Sequence, residues 1–138
     1  MKDETPLFTI QLTVADLTTT EAFYGGILQL PVQRAFTMHG SPEQLLIKQN
    51  GWELIFVEED AVIRLEPELE ESLAEYPKGV GMILHFRVTE IEEIADTLDN
   101  EGLSVLQPLE EKPFGMKELW CFDPDGYLVA LKEPLRKA

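Results

Sequence analysis

A single cysteine, Cys121, stands in the 138 residues. No internal disulfide framework can form, and a reducing cytoplasm fits. Histidine occurs twice, at His39 and His85. Positive charge is scarce: 11 basic residues face 26 acidic ones, for a net charge of −15. A chain this acidic repels phosphate backbones and anionic membranes, so neither nucleic acid nor a membrane is an expected partner. The charge suits cationic ligands, or simply solubility. No apolar run approaches the length needed to span a bilayer. Met1 to Pro6 does not read as a signal peptide, and a cytoplasmic location is expected. Gly-rich phosphate loops, nucleotide fingerprints and a Ser-His-Asp ordering are all missing. What is present is 44% hydrophobic residues, enough to build a core.

Those residues are patterned. Phe8, Ile10, Leu12 and Val14 alternate with Thr9, Gln11 and Thr13, the period of a half-buried strand. Thr18 and Glu21 have the spacing of a capping box, and a helix follows through Phe23 and Tyr24 until Gly25-Gly26 ends it near Leu28. Strands are expected over 32–38, 45–49 and 52–57, with Asn50-Gly51 as a hairpin turn. An acidic connector follows, with a short helix from Pro67 to Tyr76 and a glycine hinge at Gly79-Val80-Gly81. Then the first pattern returns. Met82, Leu84, Phe86 and Val88 alternate with Ile83, His85 and Arg87, and Thr89 and Glu92 repeat the capping spacing. Ile91, Ile94, Ala95 and Leu98 recur at helical spacing before Gly102. A strand over 104–107, a loop holding Pro108 and Pro113, a strand over 117–122, the turn Asp123-Pro124-Asp125-Gly126 and a last strand complete the chain. The layout is βαβββ, connector, βαβββ, the mark of an internal duplication. The modules are 1–60 and 81–138, joined by 61–80 within one structural domain.

With that order, the chain resembles the vicinal oxygen chelate superfamily, which includes glyoxalase I, bleomycin-resistance proteins, extradiol dioxygenases and fosfomycin-resistance proteins. The residues that carry the resemblance are Ile10 to Leu17, Phe23-Tyr24, Leu28 to Val32, His85 to Val88 and Asp123 to Tyr127. The family usually has glycine where Gln29 stands. The resemblance implies an α+β fold: two tandem βαβββ modules forming a curved mixed sheet around a cavity, with helices on the outer face. The alternation sorts Thr9, Gln11, Thr13, Glu53, Ile55, Val57, Ile83, His85, Arg87, Glu118, Trp120, Phe122, Leu128, Ala130 and Lys132 onto the face away from the helices.

Enzymes of that family bind a divalent ion through one residue from each of four strands. The matching positions here are Thr9, Ile55, Ile83 and Ala130, and none is a usual ligand. A metal site is therefore not expected, and no cofactor is assigned. The expected function is that of a bleomycin-resistance-type homodimer which sequesters a cationic or aromatic small molecule without metal chemistry. Trp120 and Phe36 would supply stacking area, Glu53 or Glu118 would meet positive charge, and His85 and Gln11 would orient the ligand. The alternative is a lyase, isomerase or dioxygenase using His85 as base, or a shifted metal site of His85, Glu53 and Glu118.

Overall fold

The computed structural model describes residues 5–35 and 42–135, which form two compact units. The first comprises Met1–Gly25 and Leu30–Tyr76, the second Gly26–Gln29 and Pro77–Ala138. Each unit contains one four-stranded mixed sheet.

In the first unit the alternating residues form β1 (Phe8–Val14), followed by β2 (Gln33–Ala35), β3 (Gln44–Gln49) and β4 (Trp52–Glu58). The order is β1-β4-β3-β2, with β1 parallel to β4 and the other pairs antiparallel. Helix α1 (Leu17–Glu21) runs on as a π-helix over Ala22–Ile27. It buries Leu17, Thr20, Phe23 and Tyr24, the Tyr24 ring lying 4.7 Å from that of Phe56. Leu12, Val14, Leu45, Ile47 and Leu54 complete this apolar layer.

The expected capping box is not the cap. Asp16 is, and its carboxylate accepts from the Thr18 amide at 3.2 Å and the Thr19 hydroxyl at 2.7 Å. That hydroxyl holds the Asp16 carboxyl below its usual range. The helix begins one residue before Thr18, so Asp16 meets the free amides first. Glu21 instead accepts from Arg34 at 3.0 Å. The remaining helix amide is met from far along the chain: Leu17 N–H donates to Glu58 Oε2 at 3.0 Å.

The helix ends through a Leu30 N–H bond to the Tyr24 carbonyl at 3.0 Å, with Gln29 at φ 60° between them. Gln29 is the one non-glycine residue at positive φ among the described residues. A side chain there is strained, which explains the family's glycine at this place. Gln29→Gly is expected to stabilise the protein by about 1 kcal/mol, read as a melting temperature higher by about 3 °C. A lower melting temperature in the variant removes the strain argument.

The connector holds a correction. Helix α2 (Glu59–Leu65) follows β4 directly, ahead of a 3-10 turn (Pro67–Leu69) and α3 (Glu70–Glu75). The alternation placed Ile55 and Val57 on a face lining a cavity. They are instead packed in a buried cluster with Ala61 and Val62, with Leu46 and Leu73 against it. The connector is not only a solvated acidic face. Ala61, Val62 and Leu73 are apolar, and they cover the side of the first sheet opposite α1, where burial removes more hydrocarbon from water.

The second unit repeats the plan with β5 (Ile83–Arg87), α4 (Ile91–Asn100), β6 (Val105–Lys112), β7 (Met116–Phe122) and β8 (Leu128–Pro134). The order is β5-β8-β7-β6, again with one parallel pair, β5 and β8. Helix α4 buries Ile91, Ile94 and Leu98. Phe86, Val88, Leu119, Cys121, Val129 and Leu131 are the buried apolar residues of the sheet side that it covers. The Thr89 and Glu92 spacing is no cap either. Ile91 N–H donates to Glu133 Oε1 at 3.1 Å, and Glu92 pairs with Lys117. Glu58 at the end of β4 and Glu133, one residue before the end of β8, thus serve their helices alike: Glu58 to Leu17 and Glu133 to Ile91. The duplication is preserved in a hydrogen bond that local sequence patterns do not show.

Strand β6 is longer than the expected 104–107 and contains Pro108, at a register shift between Gln107 and Glu110. A proline lacks the ladder N–H, and an edge strand with a bulge tolerates it.

Candidate functional site

Residues paired across strands project to the same side of a sheet. On the side of the second sheet away from α4, His85 of β5 pairs with Ala130 of β8, Ala130 with Trp120 of β7, and Trp120 with Gln107 of β6. One residue from each strand therefore forms a row: His85, Ala130, Trp120, Gln107. On one side of it lies an apolar row of Ile83, Leu128 and Phe122. On the other lies a charged row of Arg87, Lys132, Glu118 and Glu110.

The middle row is held by its rings. His85 and Trp120 meet edge to face with centroids 6.1 Å apart. Such pairs contribute about 1 kcal/mol beyond their buried area. Ala130 lies between them in the row and is fully buried. The indole N–H of Trp120 donates to Glu118 Oε1 at 3.3 Å, which holds the ring in one orientation. Lys112 Nζ donates to Glu110 Oε1 at 2.5 Å and to Gln107 Oε1 at 3.4 Å. An ammonium only donates, so it fixes which end of the Gln107 amide faces it. The other end, Nε2, is buried with no hydrogen-bond partner.

His85, Glu118 and Trp120, all expected from the sequence, are brought together here. Gln11 and Glu53 belong to the first unit. They share a sheet face with Ile55, Gln11 as its cross-strand partner and Glu53 two residues before it. Thr9 donates to Glu53 at 3.4 Å. Phe36 and His39 lie outside the described residues. Gln107 was missed as a site residue, because its place beside Trp120 depends on a bulge between strands. Arg87 and Lys132 were assigned to the correct face, yet only the register shows them to be neighbours. Cys121 lies on the helix side, fully buried. Burial first, and then the Asp123 charge, push its thiol up to about 12, so it offers no thiolate near neutrality.

The residues at the family's metal positions do not fit a divalent ion. Thr9 is engaged with Glu53, Ile55 lies under α2, Ile83 is hydrocarbon and Ala130 has only a methyl. Among the described residues, no three His, Cys, Asp or Glu side chains gather to hold a metal. No step is derived through one. No described helix is long and apolar enough to cross a membrane.

Solved structures share this fold. A glyoxalase-related enzyme from Fulvimarina pelagi is 24% identical, over 91% of this chain and 85% of its own, with a TM-score of 0.63. A member of the glyoxalase/bleomycin resistance protein/dioxygenase superfamily from Sphaerobacter thermophilus is 18% identical over 94% and 97%, with a TM-score of 0.62. A glyoxalase/bleomycin resistance protein/dioxygenase from Nocardioides is 17% identical over 100% and 89%, with a TM-score of 0.59. No curated protein matches the sequence significantly. With the repeated βαβββ plan in both units and a family model that matches residues 7–131, the chain belongs to the Glyoxalase/Bleomycin resistance protein/Dioxygenase superfamily.

Proposed function

We propose that this protein binds a small planar molecule against the His85–Trp120 pair of the second unit, and holds it without transforming it. The observation that carries this reading is the row itself. An edge-to-face aromatic pair beside an alanine, with an apolar row on one side and a charged row on the other, is a surface suited to a flat ligand with a polar end. The alternative, His85 as a general base, draws less support. A base needs an orienting acceptor. The candidate carboxylate on the same face, Glu118, accepts from Trp120 and makes no hydrogen bond with His85. A homodimer is part of the reading.

The test is calorimetric titration with a neutral planar aromatic, 2-naphthol. Binding to the native chain is expected, and Trp120→Ala is expected to weaken it about tenfold, as lost aromatic stacking implies. Equal affinity in the variant sinks the proposal. So does steady turnover of a glyoxalase substrate that is abolished by His85→Ala with folding intact.

A further inference from the structure

The chain's net charge of −15 leads to the expectation of a cationic ligand. The face that carries the aromatic pair holds two cations that no carboxylate pairs. We infer that the ligand's polar end is an anion, a carboxylate or its chemical equivalent, received by Arg87 and Lys132. This rests on the planar-ligand reading above and specifies its charge.

The two carboxylates of the charged row are both engaged: Glu118 accepts from the Trp120 indole and Glu110 from Lys112. Its two cations are not. Among the described residues neither Arg87 nor Lys132 makes a salt bridge or a side-chain hydrogen bond, although they are direct register partners on β5 and β8. Like charges placed opposite one another across strands repel. Glu118, the β7 register partner of Lys132, stands in the same row, yet makes no salt bridge with it. The face thus has donors to spare.

Space is present beside Arg87. Arg87 lines a cavity of about 270 Å³ with Val88, Thr89, Glu133, Pro134 and Leu135. The one carboxylate there, Glu133, accepts from the Ile91 N–H at the start of α4. An aromatic body against the His85–Trp120 pair has its substituent within one register step of two unpaired cations. An ammonium in the same place meets Arg87 and Lys132 at close range, and of the row's carboxylates Glu110 is already paired with Lys112. Like-charge contacts of that kind reject a ligand as strongly as complementary ones select it.

The experiment uses three probes of one shape: 2-naphthoate, 2-naphthol and (2-naphthyl)trimethylammonium, titrated calorimetrically into the native chain and into Arg87→Gln, Lys132→Gln and the double variant. Naphthoate is expected to bind tightest, and its affinity to fall as salt rises from 20 to 300 mM, while that of naphthol stays level. Each single variant is expected to weaken naphthoate about threefold and the double variant about tenfold, with naphthol unchanged. Naphthol also reports that the variants keep the fold. Equal binding of naphthoate and naphthol, tighter binding of the ammonium, or an unaltered naphthoate affinity in the double variant overturns the charge assignment alone. Failure of all three probes to bind overturns the planar-ligand site and this inference with it.

Discussion

Replacing Gly79 by alanine is expected to destabilise the protein by about 3 kcal/mol and lower its melting temperature by about 10 °C. Two causes add. Gly79 has φ +72°, a conformation that costs a side chain about 1 kcal/mol. Its new Cβ would also lie 2.2 Å from Cδ1 and 2.8 Å from Cε1 of Tyr127, closer than any real contact. The Tyr127 ring cannot step aside easily: the residue is 5% exposed, and its amide donates to Asp123 Oδ1 at 2.9 Å. Gly81→Ala separates the causes. Gly81 has φ +91° with open space around the Cβ position, so only the backbone cost applies there. Thermal melts of both variants make the comparison. Equal losses at the two positions show that the ring contact contributes nothing. A neutral Gly79→Ala overturns the packing argument altogether. The spacing Gly79-Val80-Gly81 predicts a hinge; in the structure the Gly79 carbonyl accepts from the Met82 amide at 3.0 Å, and the glycine lies against the Tyr127 ring.

Asp123→Ala is the second large expected loss, about 2–3 kcal/mol. Asp123 is 5% exposed, and its Oδ1 accepts from the amides of Asp125 at 2.8 Å and Tyr127 at 2.9 Å. Alanine leaves both amides without that acceptor inside a turn that water reaches poorly, and an unmet buried amide costs about 1–3 kcal/mol. The backbone bonds of Gly126 N–H to the Asp123 carbonyl at 3.0 Å and of Asp123 N–H to the Tyr127 carbonyl at 2.9 Å fix the same turn, so the fold survives. Asp123→Asn keeps an oxygen in the Oδ1 position and is expected to lose about 1 kcal/mol, the difference between a charged and a neutral acceptor. Urea unfolding at constant slope measures both. If alanine and asparagine prove equally costly, the acceptor role is wrong. The turn also bears on the site. It sets where β8 begins, and β8 places Ala130 opposite His85 and Trp120. A shift of one residue would turn Ala130 to the helix side. The alanine variant is therefore expected to bind 2-naphthol more weakly than the asparagine variant.

Much of this was legible beforehand. Strand periodicity gave the correct faces for β1, β5 and β8, because one layer of each is buried under a helix and the side chains alternate strictly. The Asp-Pro-Asp-Gly turn was legible because all its bonds lie within five residues. The capping boxes misled for the opposite reason. Thr18, Glu21, Thr89 and Glu92 have the right spacing, yet Asp16 starts the first helix and Glu133 arrives from a strand 42 residues on. Helix α2 escaped notice because the dense glutamates after it hid two apolar residues, Ala61 and Val62, whose value depends on Ile55 and Val57 lying beneath them.

For this chain, then, residue type and spacing determined the βαβββ repeat, the superfamily and the presence of Thr9, Ile55, Ile83 and Ala130 rather than usual ligands at four strand positions, since each of these is a property of single residues or of short periods. The tertiary structure alone decided what took their place. Whether Ile55 lines a cavity or lies under a helix, whether His85 meets a carboxylate or an indole, and whether Arg87 and Lys132 stand paired or exposed together all depend on register between strands far apart in sequence. That register is set by turns, bulges and burial acting at once, and no local pattern contains it.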